Sequence, residues 1–356
     1  MLLATQGHGA ANVSGDGDAA SHGGRSKAYG VRIMVVDSIV YGPVPSRRLG
    51  RSLGVNNIPP KICSYSCVYC QLGSTISMQA ERKTFYKPEE MAQRVTEKVK
   101  QARQRREQID YLTFVPDGEP TLDVNLGKVI ELLKSLNIKI AVITNASLVW
   151  REDVREDLQK ADWVSLKVDT VSEKIWRRIN RPQRSLDLEV ILEGMLKFAT
   201  SFKGRLATES MLIRGINDNN GEIGRIADFL AQLKPDTAYL AIPTRPPAKR
   251  TINGASEQTI NTVYQVFGKR LSNVEYLIGY EGNAFAFTGS IEDDLLSITS
   301  VHPMREEAVV ELLKKADASW GVVAGLIEDG QLTEVEYQGK RFYMRTLPRR
   351  NMSSQP

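Results

Sequence analysis

Cysteine and histidine are both scarce in this chain of 356 residues, with three of each. All three cysteines fall between positions 63 and 70. A secreted domain stapled by disulfides would carry an even number spread along its length, so that class is excluded. The pattern fits a reducing compartment, the cytoplasm, and a metal or cluster site. His8 and His22 lie near the N-terminus, which leaves His302 as the one histidine in the body of the chain. Long apolar runs are missing too. No stretch reaches the roughly eighteen residues that would signal a membrane span, so none is expected. The opening Met1-Leu2-Leu3-Ala4 is too short, and lacks the basic leader, to be a secretory signal. Charge of one sign is not in large excess: 47 Lys and Arg against 42 Asp and Glu leave +5, common in enzymes that never meet nucleic acid. Residues 1–30 almost lack large apolar side chains, and such a stretch cannot offset its ordering entropy by burial. Residues 1–35 are therefore expected to form a disordered tail, and 348–356 a second, short one.

What is present is an alternation of strands and helices. Apolar runs at 111–115, 138–144, 163–168, 206–213 and 237–242 read as strands, with further strands near 53–57 and 274–278. Helical patterns fill the intervals at 88–108, 125–136, 151–161, 188–202 and 221–233, the first opening on Pro88-Glu89-Glu90. Lys98, Lys100, Arg103, Arg105 and Arg106 on that helix read as a solvated face. Repeated strand–helix units imply a parallel sheet with right-handed crossovers. The units are too few for a closed eight-fold barrel. The expected fold is α/β, a partial (β/α)6-type parallel barrel over 36–295, with its chemistry at the C-terminal strand ends. The pattern then changes. Helices at 305–315 and 319–329 and a hairpin at 332–345 predict a small winged-helix-like domain over 296–347. Such a domain often reads nucleic acid. Here residues 300–356 hold eight basic and eight acidic residues, and 319–329 has no Lys or Arg. That argues against a major-groove reader and leaves protein contact or substrate capping open.

The cysteines sit in Lys61-Ile62-Cys63-Ser64-Tyr65-Ser66-Cys67-Val68-Tyr69-Cys70-Gln71, a C-x3-C-x2-C spacing in a short loop after a strand-like segment. A compact loop can wrap one face of a cubane iron–sulfur cluster with three thiolates. Three ligands for four irons leave one iron open to a chelating ligand. The competing readings are a zinc site, which would need a distant fourth ligand such as His302, and three free thiols.

The spacing, with Tyr69 at the aromatic position, resembles the signature of the radical S-adenosylmethionine (SAM) superfamily, and the resemblance covers roughly 40–285. The string 41–55, Tyr-Gly-Pro-Val-Pro-Ser-Arg-Arg-Leu-Gly-Arg-Ser-Leu-Gly-Val, is similar to the wyosine-synthase-like branch. The resemblance implies a [4Fe–4S] cluster on Cys63, Cys67 and Cys70 and SAM on the open iron. It implies Tyr69 near the adenine and the Gly118-Glu119-Pro120 turn at the SAM amino group. Asn145, after Thr144, would meet the ribose or carboxylate, against a plain turn-forming role. Asp169, with Lys167 beside it, would do the same, against capping a helix over 171–178. Glu209, a charge within a buried pattern, needs a partner; SAM contact and a structural salt bridge stand side by side. Arg47, Arg48 and Arg51 suit carboxylate or phosphate recognition, against surface ion pairing, and Arg177, Arg178 and Arg181 pose the same choice. The chain departs from the pattern at Asp117 and Ala146, where glycine is usual. No cysteine remains for a second Cys-bound cluster, which puts wyosine synthesis itself in doubt and disfavours methylases that carry a methyl on cysteine.

The resulting expectation is an enzyme that reductively cleaves SAM to a 5′-deoxyadenosyl radical for hydrogen abstraction, fed by a flavodoxin or ferredoxin-like one-electron donor. The substrate is open. RNA is one candidate and a peptide or small metabolite another. The non-enzyme alternative is an iron–sulfur regulator that binds DNA.

Overall fold

The computed structural model describes residues 39–346. The tails expected at 1–35 and 348–356 lie outside the described residues. The chain opens with β1 (Val40–Ser46) and β2 (Gly50–Val55), followed by two short strands, β3 (Ile62–Cys63) and β4 (Ser77–Met78). Strand and helix then alternate: α1 (Pro88–Gln104), β5 (Tyr111–Phe114), α2 (Leu126–Leu133), β6 (Lys139–Thr144), α3 (Glu152–Leu158) and β7 (Trp163–Lys167). Two helices follow, α4 (Glu173–Ile179) and α5 (Leu188–Ser201), and then β8 (Arg205–Met211), α6 (Asn220–Leu233), β9 (Thr237–Ala241), α7 (Glu257–Gly268) and β10 (Val274–Leu277).

One eight-stranded sheet runs in the order β1-β2-β5-β6-β7-β8-β9-β10. Every neighbouring pair is parallel except β1 with β2. The sheet curls into the partial barrel that the alternation predicts. The antiparallel β1, which carries Pro43 and Pro45, is not among the strands expected from the sequence. Proline is tolerated on an edge, where an N–H can be spared, and β1 is the edge, with an irregular register between Tyr41 and Val44. A Cβ on Gly54 would lie 2.0 Å from the Tyr41 ring, so only glycine lets this tyrosine lie across β2. The turn between β1 and β2 plugs the barrel from below. Leu49 packs inside against Ala141, Trp163, Ala207, Tyr239 and Leu277.

α1 buries Met91, Val95, Val99 and Ala102, a helical stripe. Its basic run is not all solvated, as the sequence suggests. Lys98 Nζ lies 3.2 Å from Asp294, and the Arg105 guanidinium lies over the Phe287 ring at 4.7 Å.

The C-terminal elements are α8 (Ile291–Thr299), β11 (Met304–Arg305), α9 (Glu306–Lys315), α10 (Gly321–Glu328), β12 (Leu332–Tyr337) and β13 (Lys340–Arg345). Their strands form a sheet ordered β11-β13-β12. The division expected at residue 295 falls inside α8. Tyr41 and Val44 of β1 share one apolar cluster with Phe285, Leu295, Ile298, Val309, Leu312 and Tyr343. These elements therefore grow out of the barrel's edge strand.

Candidate active site

β2 delivers the chain to the cysteine loop, whose backbone is tied to the end of α4. Val68 N–H donates to Ile179 O at 2.9 Å and Ser66 N–H to Asn180 O at 3.0 Å. Tyr65 packs edge-on against Trp176, with ring centroids 5.8 Å apart. Thus anchored, Cys63, Cys67 and Cys70 line one cavity of about 300 Å³. All three are free thiols. Burial pushes each upward: Cys63 well above its ordinary range, Cys67 to about 12, and Cys70 less far. The protein alone therefore holds them protonated, and a positively charged centre is needed to draw off their protons. Two amides face the sulfurs, Asn145 Nδ2 at 3.5 Å from Cys63 Sγ and Asn180 Nδ2 at 3.5 Å from Cys67 Sγ. Among the described residues no three Cys, His, Asp or Glu side chains gather closely enough to share a single ion. A cubane differs in that each thiolate takes its own iron.

The opposite wall is made by the C-terminal ends of the parallel strands. After β5, the turn at Asp117-Gly118-Glu119 lies directly on the cysteine loop. Glu119 N–H donates to Ile62 O at 3.2 Å, and a Cβ on Gly118 would sit 1.9 Å from that same oxygen. Asp117, where the family pattern has glycine, forms a buried ion pair with Lys61 at 3.2 Å. Burial nevertheless raises its carboxyl to about 6. Glu119 is fully buried and its two oxygens accept from four donors: Thr121 N–H at 3.0 Å, Thr121 Oγ1 at 2.6 Å, Thr144 Oγ1 at 2.6 Å and Asn145 N–H at 2.7 Å. Burial still raises it, outweighing those bonds. Asn145 also donates to Ser64 Oγ at 2.9 Å, so it ties β6 to the cysteine loop. Ala146 adopts φ +62°, the left-handed region that explains the glycine preference at this position.

Glu209 of β8 lines the cavity and pairs with both Lys167 of β7 and Arg48 of the plugging turn. Burial alone would raise its carboxyl, but Lys167 and Arg48 together hold it down to about 2. Lys167 Nζ also lies 4.9 Å from the centre of the Tyr69 ring. The salt bridge that the sequence left open for Glu209 thus exists within a cavity wall. Asp169 does not line this cavity. It is 3% exposed and accepts from Tyr69 O–H, from Asn180 Nδ2 at 2.8 Å and from Met211 N–H at 2.9 Å. It clamps Tyr69 from behind, and it does not cap α4, whose cap position is Ser172. Arg51 pairs with Glu107 at 3.1 Å away from the cavity. Arg177, Arg178 and Arg181 are exposed and do not line it.

One side of the cavity is closed by a network that sequence reasoning missed. Arg245, in the loop after β9, pairs with Glu281 and donates to Gln71 Oε1 at 2.5 Å. Gln71 Nε2 donates to Val301 O at 3.1 Å. His302 Nε2 lies 2.9 Å from Glu281 Oε1. Burial pushes His302 down to about 4, so at neutral pH its ring is uncharged, and its Nε2 faces both Glu281 Oε1 and Arg245 Nη2, the latter at 3.2 Å. The candidate zinc ligand is therefore engaged away from the thiols. Arg245 lies just past a parallel strand's C-terminal end, the one signal that could have found it.

The donor set matches what a cluster with a bound amino-acid cofactor requires. Three thiols stand on one wall, a fixed phenol and amides beside them, and a cation–carboxylate group stands opposite. A family model described as the radical SAM superfamily matches residues 57–230. A UPF0026 protein of Methanocaldococcus jannaschii is 48% identical over 316 residues, covering 88% of this chain and 98% of the relative. A UPF0026 protein of Synechocystis is 36% identical over 223 residues, covering 62% of this chain and 81% of the relative. Among solved structures, TYW1 with a lysine-pyruvate adduct bound is similar with a TM-score of 0.50 and 18% identity, over 62% of this chain and 74% of that one. At that identity the likeness is one of fold.

Proposed function

The chain belongs to the radical SAM superfamily and is an enzyme, and from that premise we propose that it binds a [4Fe–4S] cluster on Cys63, Cys67 and Cys70 and cleaves SAM reductively to start hydrogen abstraction from a substrate. The observation that carries this reading is the meeting of the three thiols, Tyr69, Gly118, Glu119, Asn145 and Glu209 in one cavity at the C-terminal ends of parallel strands. When bound, the cluster and SAM supply one-electron cleavage of a sulfonium carbon–sulfur bond. The chain's own residues do the rest. The Asn145 and Asn180 amides aim N–H groups at two of the sulfurs, which favours their thiolate form. Asp169 and Asn180 fix the Tyr69 phenol, so that its ring forms a preset face for a base. Glu119 keeps the turn after β5 seated on the cysteine loop. Lys167 and Arg48 surround Glu209 with positive charge and offer N–H donors to a carboxylate. Val115, Ile143, Met211 and Ile242 line the cavity with apolar surface that limits water. A flavodoxin or ferredoxin-like donor supplies the electron, and the setting is cytoplasmic.

The DNA-binding alternative finds little support in the C-terminal elements, since two of the hairpin's basic residues, Lys340 and Arg341, are paired within the same unit. Arg341 lies 2.9 Å from Glu306 and Lys340 lies 3.6 Å from Glu307. The same neutralisation weighs against RNA as substrate and favours a small molecule. The test is anaerobic reconstitution followed by reduction in the presence of SAM. The expected product is 5′-deoxyadenosine. A protein that binds a full cluster and SAM, yet releases none, would refute the enzyme reading.

A further inference from the structure

A second cavity, of about 160 Å³, opens beside the first and shares Arg47, Arg48, Gln71 and Arg245 with it. It is walled by β1, β2 and β5 on one side and by Glu281, Val301 and His302 on the other. The proposed handling of the cluster and SAM touches it only through the wall that the two cavities share, at Arg48, Val115 and Ile143. Its ionic lining is unequal, with three arginines against the one carboxylate of Glu281, beside an uncharged His302. Two of those arginines are already engaged by carboxylates, Arg48 by Glu209, which Lys167 shares, and Arg245 by Glu281. Arg47 is not. Among the described residues no carboxylate lies within ion-pair distance of it. Its Nη1 donates to the carbonyls of Leu277 and Gly279, the latter at 2.8 Å, and so ties the first edge of the open barrel to the last. That anchoring occupies one nitrogen of the guanidinium. The Nε and Nη2 donors have no partner among the described residues, and this edge of the fork is the one that takes two oxygens of a carboxylate side by side.

We infer that this second cavity is the substrate subsite and that it takes the carboxylate of a small organic acid on the free edge of Arg47. The inference rests on the radical SAM reading for what happens next to the subsite, but not for binding itself. The cavity has room for about five water-sized groups, which suits a short acid. Ser46 and the Ser52–Thr113 hydroxyl pair, 2.6 Å apart, give it polar walls beside the guanidinium. Because the two cavities share walls, an acid anchored on Arg47 extends its carbon chain toward the space beside the thiols. An anchored and aligned carbon is what selective hydrogen abstraction requires.

The experiment uses saturation-transfer difference NMR on the reconstituted full chain, with propionate as probe and acetate, chloride or inorganic phosphate as competitor at equal ionic strength. Cluster content and SAM binding are measured on the same samples, with propionate run both with and without SAM. The expected result is transfer to propionate that acetate displaces and chloride does not. Arg47→Gln is expected to weaken it about tenfold or more, the loss of a charge-assisted pair. Val301→Phe, which fills the cavity from the opposite wall and leaves Arg47 intact, is expected to abolish it. Arg184→Gln, at an exposed arginine distant in sequence from both cavities, is expected to leave it unchanged. Absence of transfer in the wild type overturns the inference. So does transfer that survives Val301→Phe, or displacement by phosphate more readily than by acetate. Should the protein fail to bind SAM while still binding propionate through Arg47, the cofactor reading fails and the carboxylate subsite stands.

Discussion

The cavity has two walls of opposite character. On the strand-end wall the carboxylates that line the cavity are satisfied by the chain itself, Glu119 by four donors and Glu209 by two cations, and Asp169 behind it is held by three donors. On the cysteine wall the three thiols are half-buried and pushed up out of their ordinary range, and the hydrogen bonds that reach them, the Asn145 and Asn180 amides at 3.5 Å among them, do not offset that. One wall is organised without a ligand, while the other is completed by one. Preorganised dipoles cost nothing to align when charge develops. A metal site, by contrast, releases its binding energy only once its ligands are deprotonated. The difference predicts that substitutions on the two walls fail in different ways.

The largest effect is expected on the cysteine wall and only in the loaded protein. Cys67→Ser should abolish cluster binding, measured as iron and sulfide per chain after anaerobic reconstitution, and with it all SAM cleavage. The apo protein should melt within about 1 kcal/mol of the wild type, because the thiol makes few contacts worth that much. If the variant keeps its cluster, the assignment of Cys67 as a ligand is wrong. If the apo protein unfolds, the contrast between the walls collapses.

The walls also differ in how far they can be read from sequence. The cysteine wall is almost wholly legible, because a cluster ligand set is local: three residues within one loop, with Tyr69 between them. The parallel strands are legible as well, since a strand covered on both faces reads as a continuous apolar run. Gly118-Glu119 and Asn145 stand out because they follow such runs. The rest depends on contacts across long stretches of chain. Tyr69 meets Asp169 from 100 residues away and Gln71 meets Arg245 from 174. Nothing local tells whether Asp169 faces the cavity or lies behind Tyr69. β1 escapes because its prolines are tolerable only on an edge, and edge position is a property of the whole sheet. The join between β1 and the C-terminal elements escapes for the same reason, as no linker composition marks it.

An intermediate effect, independent of any metal, is expected on the strand-end wall. Glu119→Ala strands four donors in a buried place, two of them backbone N–H groups that cannot rotate away. The apo protein should lose about 3 kcal/mol, read from denaturant midpoints, since each orphaned buried donor costs about 1–3 kcal/mol and water from the cavity recovers part of it. Glu119→Gln keeps the shape and some acceptor capacity, and should lose less. Equal loss in both variants would mean that charge, rather than the count of acceptors, holds the turn.

The smallest effect lies where the walls meet. Tyr69 belongs to the cysteine loop by sequence and to the strand-end wall by its hydrogen bond to Asp169. Tyr69→Phe keeps the ring and deletes one donor. Asp169 retains Asn180 and the Met211 N–H, so no buried charge is orphaned, and the apo protein should lose only about 1 kcal/mol. The cluster should assemble normally, since no ligand is touched. What should change is SAM affinity, by a few-fold, because the ring keeps its packing but is no longer pinned at its tip, and loose positioning lowers affinity in proportion to the ordering that binding must restore. A normal affinity for SAM in this variant would show that packing alone orients the ring and that Asp169 serves stability only. Loss of the cluster would instead place Tyr69 functionally with the cysteines, and the boundary between the two walls would move by one residue.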